Sequence, residues 1–297
     1  MGDTIATSCT SAGKADPGPT LLDARCFSNR RPLEVRDNVR SSAMTHTRDW
    51  NAASYARTAA PVEAFGQKLL DRLELRGDET VLDAGCGTGG VTEQLLARVP
   101  HGRVIGVDGS RSMIDRARVR LGTRADLRVG DLLELELDSR VDVVFSSATF
   151  HWIGDHDRLF ARLFAALKPG GRLLAQCGGA GNIATVVAAL EVVTAEPAFA
   201  EHFAGWPGAW NYAGPDETVA RLQRAGFVDA QAGLHDEPVQ PQDPREYFET
   251  IMLGSHLERL PAELHGDFVD RVLAELEDPV TVEYVRLTMS ARTATAE

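Results

Sequence analysis

Residues 81–90 read VLDAGCGTGG, an apolar run that passes directly into a cluster of glycines. Gly85, Gly87 and Gly89 alternate through the cluster, and Asp83 stands two residues before the first of them. Glycine loses more backbone freedom on folding than any other residue, so such a cluster indicates that a ligand or another backbone must approach closely. A glycine turn between a strand and a helix is also where a doubly wound α/β sheet binds its ligand. This stretch is therefore the predicted ligand-binding loop.

The 297-residue chain has the composition of a globular protein, with 43% hydrophobic and 25% charged residues, and can bury a substantial core. Its formal charge of −12 repels phosphate backbones, so we expect no nucleic-acid partner. The four cysteines lack CxxC spacing, which favours a reducing compartment over a disulfide scaffold. No apolar run is long enough for a bilayer, and the N-terminus lacks the apolar segment of a secretory signal. We expect a cytoplasmic protein without membrane association, and the composition leaves its oligomeric state open.

Residues 1–43 differ in composition from the remainder of the chain. They are rich in serine, threonine, glycine and proline and have no sustained hydrophobic periodicity. Such a segment cannot bury enough apolar surface to offset the entropy lost on ordering. We predict a flexible N-terminal tail over 1–43 and a folded domain over 44–297. The tail is either a dispensable extension or the result of a misassigned start, with Met44 as the true beginning.

The folded part alternates between two hydrophobic periods. Five strands are predicted first, at TVLDA (80–84), RVIGVD (103–108), ADLRVGD (125–131), VDVVFSS (141–147) and GRLLAQC (171–177). Helical patterns separate them, which indicates right-handed βαβ units and a parallel sheet covered on both faces. Two further strands, at 227–234 and 280–292, flank an insertion at about 242–278 with two predicted helices. The predicted fold is an α/β, doubly wound, Rossmann-like sheet of seven mostly parallel strands with helices on both faces and a helical insertion before the last strand.

Two cofactors suit the glycine loop. Gly85, Gly87 and Gly90 satisfy the G-x-G-x-x-G dinucleotide pattern, and Asp108 follows at the distance of a ribose-binding acid, so an NAD-dependent oxidoreductase is one alternative. Asp83 favours the other, because a carboxylate at the loop entrance would repel a pyrophosphate. S-adenosyl-L-methionine carries an ammonium, a sulfonium and a single carboxylate. Backbone amides of the loop can hold that carboxylate, while acidic side chains suit the cations.

Four segments together resemble the class I S-adenosylmethionine-dependent methyltransferases. DAGCGTG is similar to their first motif, VIGVDGS to the second, VGDL to the third and LKPGGRLL to the segment before the fifth strand, in the right order over about Asp49–Cys177. The resemblance implies that Asp108 binds the ribose hydroxyls, that Asp131 and Leu132 meet the adenine, and that Met113 packs against it. The cofactor-binding residues predicted in this way are Tyr55, Asp83, Gly85, Cys86, Gly87, Asp108, Met113, Asp131, Leu132 and Ser147.

Within that family, WNAASYAR and SSATFHWIGDHDRLFARL resemble the trans-aconitate methyltransferase group. This resemblance implies a small-molecule acceptor and O-methylation of a carboxylic acid. The last third of the chain resembles the group only loosely, and that third shapes the acceptor pocket. The alternatives are an NAD-dependent oxidoreductase and a protein that binds the cofactor without catalysis.

His151 and Tyr55 are the predicted catalytic residues. Tyr55 lies on the segment that folds over the cofactor in the family, and its hydroxyl would approach the methyl group. His151 would either hydrogen-bond the acceptor or act as a base, or else it only anchors its loop. A carboxylate acceptor is ionised at neutral pH and needs no general base, so we predict that His151 orients the acceptor.

The acceptor pocket is predicted from the chain's concentration of aromatic residues, which could roof an apolar ligand. Nitrogen and oxygen ligands suit divalent ions, so a metal site is possible at His151, Asp155, His156 and Asp157. Asp155 fits a turn, however, and Asp157 could cap the next helix, so no metal is predicted. The predicted pocket residues are His151, Trp152, Trp206, Trp210 and Tyr212.

Overall fold

The computed structural model of the protein describes Trp50, Thr58 and residues 60–295. The predicted tail 1–43 and Tyr55 lie outside the described residues, so the tail and the role of Tyr55 remain predictions. Within the described part, seven strands form one sheet in the order β3-β2-β1-β4-β5-β7-β6. The strands are β1 Thr80–Ala84, β2 Arg103–Asp108, β3 Asp126–Val129, β4 Val141–Ser147, β5 Leu167–Gly178, β6 Val228–Asp236 and β7 Val285–Arg292.

The sheet is mostly parallel, as predicted. Strands β1 to β5 pair in parallel, whereas β7 runs antiparallel to both β5 and β6. The amino end of β7 therefore lies at the same edge of the sheet as the carboxyl ends of β1 to β5. In doubly wound sheets that edge is where ligands bind.

Helices cover both faces of the sheet because strand residues on both faces are apolar. In β4, Val144 packs into one core with Phe160 and Leu163, while Val143 packs into another with Leu95. Continuous burial of this kind is typical of parallel strands between two helical layers. The helices are α1 Ala60–Leu70, α2 Gly90–Arg98, α3 Arg111–Leu121, α4 His156–Ala166, α5 Ala184–Thr194, α6 Ala200–Phe203, α7 Pro215–Arg224, α8 Pro244–Tyr247, α9 Gly254–Leu257 and α10 Ala262–Ala274.

Helix α3 begins as predicted, and helix α4 does not. Ser110 caps α3, and its side chain accepts a hydrogen bond from the amide of Met113. Asp155, not Asp157, caps α4, because its Oδ1 accepts from the Arg158 amide at 2.9 Å. Asp157 is instead the first-turn acid of α4, where it complements the helix dipole.

The first helix predicted in the insertion is not continuous. Helix α8 passes into a π-helical turn, Phe248–Met252, in which the amide of Leu253 bonds the carbonyl of Phe248 at 2.7 Å, before α9 begins. The apolar side chains of this turn, Phe248, Ile251 and Met252, are all buried. Their packing against the domain overrides the regular helical repeat. None of the helices in the described part of the chain is long and apolar enough to cross a membrane.

Candidate active site

A cavity of about 970 Å³ opens at the edge where the strands' carboxyl ends meet the start of β7. The glycine loop and the residues after β2 and β3 line one side of it, and residues after β4 and β5 line the other. The structure thereby brings most of the predicted site residues together. Those that line the cavity are Gly85, Gly87, Asp108, Met113, Asp131, Leu132, Ser147, His151, Trp152, Trp206, Trp210 and Tyr212.

Two glycines of the loop are required for different reasons. Gly85 and Gly87 both have positive φ, 84° and 52°, a region that disfavours other residues. A Cβ at Gly85 would lie only 2.0 Å from the Thr149 hydroxyl oxygen, so Gly85 permits close packing. A Cβ at Gly87 would have no atom within 4 Å, because this residue faces open space at the cavity. The loop leaves room there for a ligand beside its backbone.

Asp108 connects the loop to the next helix. Its Oδ2 accepts from the amide of Gly87 at 2.9 Å, and its Oδ1 accepts from the amide of Ser110 at 2.8 Å. An ionised carboxylate can accept about four hydrogen bonds, so these two contacts are compatible with further bonds from a diol. The geometry fits a group that holds two ribose hydroxyls.

The residues after β3 form the end of this side of the cavity. Asp131 accepts a hydrogen bond from the Leu133 amide at 2.8 Å and thereby holds a short 3₁₀ turn, Leu132–Glu134. The side chains of Leu132 and Met113 are both buried while lining the cavity. Two apolar side chains beside a carboxylate fit a flat heterocycle that carries an amino group.

Asp83 and Cys86 do not line the cavity, which corrects their predicted contact with the cofactor. Asp83 lies within β1 and faces helix α2, where its Oδ2 accepts from the Thr92 hydroxyl at 2.6 Å. Burial raises the pKa of Asp83 to about 7. Cys86 packs behind the loop against Ile114 and Ala117 of α3, and burial raises the pKa of its thiol well above the usual value. Both residues support the loop from behind.

His151 lies in a 3₁₀ turn after β4 and is buried, with 8% of its surface exposed. Its Nδ1 accepts a hydrogen bond from the amide of Gly178, at 3.3 Å. Burial, with the nearby Arg286 guanidinium, lowers the pKa of His151 well below 6.5, so the ring is neutral. Because Nδ1 accepts a hydrogen bond, the ring proton resides on Nε2. His151 is therefore a hydrogen-bond donor through Nε2.

Arg286 is the site residue that the sequence analysis missed. It lies on β7 opposite Gly178 of β5, lines the cavity and is 1% exposed. Its guanidinium lies 4.7 Å from the centre of the Phe65 ring, and its Nε donates a long hydrogen bond of 3.4 Å to Gln176. Burial lowers its pKa. A lone arginine in the apolar run VRLTM was the available signal, since charged residues are rarely fully buried without a partner.

The Arg286 guanidinium lacks the partners that a buried charge normally has. Its Nη2 has no hydrogen-bond acceptor among the described residues, although the nearby charge of Glu237 acts to raise its pKa. The Ser147 hydroxyl, on the same cavity, is likewise buried without a partner in the described part of the chain. Such buried polar groups on a cavity are satisfied by an ordered water, an ion or a ligand.

The aromatic side of the cavity is assembled from two loops. Trp210 stacks on Tyr212 with ring centres 5.7 Å apart and planes 13° apart, and it lies 6.0 Å from Trp152. Burial raises the pKa of the Tyr212 hydroxyl above its usual value. Trp50 contacts Trp152 edge-on at 5.2 Å, so a residue near the start of the described chain also lines this cavity.

The side chains considered for a metal site have other partners. His156 Nε2 lies 2.9 Å from the Phe150 carbonyl, and its Nδ1 lies 3.3 Å from an Arg221 nitrogen. Asp155 caps α4, and Asp157 pairs with Arg224 at 2.6 Å. Among the described residues, the structure groups no three side chains that could hold a metal ion.

The chain is similar in sequence to known methyltransferases. A family described as "Methyltransferase domain" matches residues 81–171. A trans-aconitate 2-methyltransferase of Delftia acidovorans is 30% identical over 251 residues, covering 80% of this chain and 91% of that relative. One from Variovorax paradoxus is 40% identical over 129 residues, which span 43% of this chain and about half, 49%, of that relative.

A solved structure has the same fold. Phosphoethanolamine N-methyltransferase 2 of Haemonchus contortus, in complex with S-adenosyl-L-methionine, aligns with a TM-score of 0.51 and 23% identity. The alignment covers 77% of this chain and 52% of that one. The cavity has room for such a cofactor beside the glycine loop, Asp108 and the pocket after β3. The chain belongs to the class I S-adenosylmethionine-dependent methyltransferases and resembles the trans-aconitate methyltransferase group.

Proposed function

We propose that the protein transfers the methyl group to a carboxylate oxygen of a small-molecule acid, forming a methyl ester. The observation that carries this proposal is the Arg286 guanidinium, fully buried on the cavity with an unpartnered Nη2. Arg286 contacts Phe65 and Gln176, but a buried guanidinium that has no carboxylate of the described residues in direct contact is further stabilised by an anionic ligand. Guanidinium groups bind carboxylates through two parallel hydrogen bonds, which also orients them.

The cofactor side of the cavity supports this chemistry. We assign the ribose hydroxyls to Asp108 and the adenine to Asp131, Leu132 and Met113. When bound, S-adenosyl-L-methionine supplies a methyl carbon already activated by its sulfonium. The protein's own task is then to position the acceptor oxygen and to exclude water.

His151 fits an orienting role better than that of a base. Its Nδ1 is engaged by the Gly178 amide, and its Nε2 carries the proton, so the ring has no free lone pair with which to accept another. A carboxylate acceptor is already ionised and requires no proton removal. A hydroxyl acceptor would require a base, which typically contributes about 10²–10⁴-fold in rate. The donor at Nε2 can hold one acceptor oxygen while the other reacts.

The compartment and the physiological role are also part of the proposal. The described cysteines, Cys86 and Cys177, are both buried free thiols, which suits a reducing cytoplasm. We propose that the protein acts there in small-molecule metabolism. Tyr55 remains a predicted contact near the methyl group.

The bond formed by the reaction provides a direct test. The protein is incubated with methyl-labelled S-adenosyl-L-methionine and a mixture of metabolite acids and alcohols, and the product is treated with mild base. A methyl ester releases labelled methanol, whereas methyl ethers and N-methyl products retain the label. We expect release of labelled methanol from the wild-type product, and a base-stable label would contradict carboxylate methylation.

Arg286→Met tests the residue that carries the proposal. We expect it to lose ester formation at least 100-fold while binding S-adenosylhomocysteine as the wild type does. Removing an unpaired buried charge should leave the melting temperature unchanged or raise it. The matched control is Arg292→Met at the exposed end of the same strand, which should retain full activity. Unchanged ester formation in Arg286→Met would exclude Arg286 from acceptor binding. No ester from any acceptor, with cofactor binding intact, would favour the non-catalytic alternative.

A further inference from the structure

The acceptor side of the cavity has a wall of three aromatic side chains, Trp152, Trp210 and Tyr212, called here the aromatic wall. Their rings are held in fixed relation, with Trp210 stacked on Tyr212 and in contact with Trp152. Planar rings in this arrangement present flat apolar surface with few polar atoms. Such surface favours a ligand body that is itself flat and apolar.

Asn211 holds the two halves of the aromatic wall together. Its amide donates to the carbonyl of His151 at 2.8 Å, and its side-chain nitrogen donates to the carbonyls of Ile153 and Gly154 at 3.2 and 2.9 Å. These bonds join the loop that carries Trp210 and Tyr212 to the turn after β4, which carries Trp152. The wall is therefore part of the folded apoprotein and does not need a ligand to form it.

Apolar residues of the insertion extend the same side of the cavity. Ile251 and Met252 line it from the buried π-helical turn, and Val62 lines it from helix α1. Methionine adapts its shape to a ligand more readily than branched residues do. A ligand body that leaves the aromatic wall therefore continues to meet hydrocarbon.

The charges on the acceptor side match a single anionic group. Of the charged residues in the described part of the chain that line this side, Arg286 alone is buried, while Glu258 and Arg259 are exposed. The Arg259 guanidinium already lies 5.0 Å from the centre of the Trp206 ring and donates to a backbone carbonyl at 3.0 Å. A second or third acceptor carboxylate would therefore meet aromatic rings, Glu258 or the exposed Arg259, whose attraction is weakened by solvent.

From these observations we propose that the acceptor is a monocarboxylic acid with a flat apolar body, such as an aryl or conjugated chain. Its carboxylate binds Arg286 and the Nε2 of His151, and its body lies against the aromatic wall. This inference rests on the proposed carboxylate methylation and narrows its substrate class. It distinguishes the protein from one that takes a polycarboxylate.

Two acids that share a carboxylate on a trans double bond test the proposal. trans-Cinnamate has one carboxylate and an aryl body, and trans-aconitate has three carboxylates. Each is titrated calorimetrically into the complex of the protein with S-adenosylhomocysteine. Ester formation is followed by mass in separate reactions that contain S-adenosyl-L-methionine. We expect trans-cinnamate to bind at least tenfold more tightly than trans-aconitate. Equal or tighter binding of trans-aconitate, or no binding of trans-cinnamate, would overturn the proposal.

Variants at Trp210 separate stacking from a general effect on the fold. Trp210→Ala should weaken trans-cinnamate binding at least tenfold, Trp210→Phe should restore most of it, and neither should change binding of S-adenosylhomocysteine. Unchanged trans-cinnamate affinity in Trp210→Ala would remove the aromatic wall from acceptor binding and overturn the proposal.

Arg286→Met distinguishes this inference from the proposed function. If it weakens binding of both acids while the wild type prefers trans-aconitate, carboxylate recognition stands and the monocarboxylate inference fails. If it changes the affinity for neither acid, the proposed function fails, and the present inference fails with it.

Discussion

Substitution of Asp108 perturbs one carboxylate that serves both the loop and the proposed ribose contact. In Asp108→Ala, the amides of Gly87 and Ser110 lose their acceptor together with the ribose hydroxyls. Asp108→Asn retains one oxygen, but its amino group must face one of the two backbone donors. The alanine variant should therefore have the larger effect on both cofactor binding and stability.

The magnitude follows from the hydrogen bonds removed. A hydrogen bond to an ionised group contributes about 1.5–3 kcal/mol, so losing both hydroxyl contacts should cost about 3 kcal/mol or more of binding free energy. That corresponds to a Kd raised roughly 100-fold in Asp108→Ala, and roughly tenfold in Asp108→Asn where one bond persists. The two backbone bonds lie at a half-buried position, so we expect the free energy of unfolding to fall by only about 1–2 kcal/mol.

The assay is calorimetric titration with S-adenosylhomocysteine, with chemical denaturation of the same samples. Asp126→Ala, at the start of the neighbouring strand β3 and outside the cavity, is the matched control and should bind as the wild type does. A folded Asp108→Ala protein whose Kd stays within twofold of the wild type would refute the assignment of Asp108 to the ribose.

Three further substitutions test other parts of the site. His151→Gln can still donate a hydrogen bond and should keep turnover within about tenfold. The kcat of the wild type should show no ionisation near pH 6.5. A loss of turnover near a thousandfold in His151→Gln would make His151 a base. Asp83 has a raised pKa of about 7, so between pH 4 and 7 the unfolded chain releases a proton that the folded protein keeps. The protein's free energy of unfolding should therefore fall as pH rises through this range, by up to about 1.4 kcal/mol per pH unit. Denaturation curves of Asp83→Asn at several pH values should show a smaller dependence on pH. Gly87→Ala places a methyl group at positive φ on the cavity side and should lower both stability, by about 1 kcal/mol, and cofactor affinity; unchanged cofactor affinity would contradict the cradle.

The sheet and the glycine loop could be predicted from local patterns in the sequence. Periods of 2 and 3.6 residues and glycine turns depend on neighbours in the chain, so the strands, the glycine loop and the Ser110 cap were predicted near their observed positions. Asp108 could be predicted in the same way, because it is the last residue of β2 and lies two residues before the Ser110 cap. The direction of a strand side chain is less local. Asp83 and Cys86 therefore belong to the predicted motif but lie behind the loop.

The acceptor side of the cavity depends on contacts between elements that are distant in the chain. Arg286 reaches the cavity because β7 runs antiparallel beside β5, which brings the start of the last strand to the carboxyl ends of the others. The Gly178 amide assigns the proton of His151 to Nε2, although 27 residues separate them in the chain. Asn211 likewise joins two distant loops into one aromatic wall. Whether a buried charge or polar atom finds a partner depends on every element packed around it, so the local sequence around Arg286 and His151 does not specify their partners.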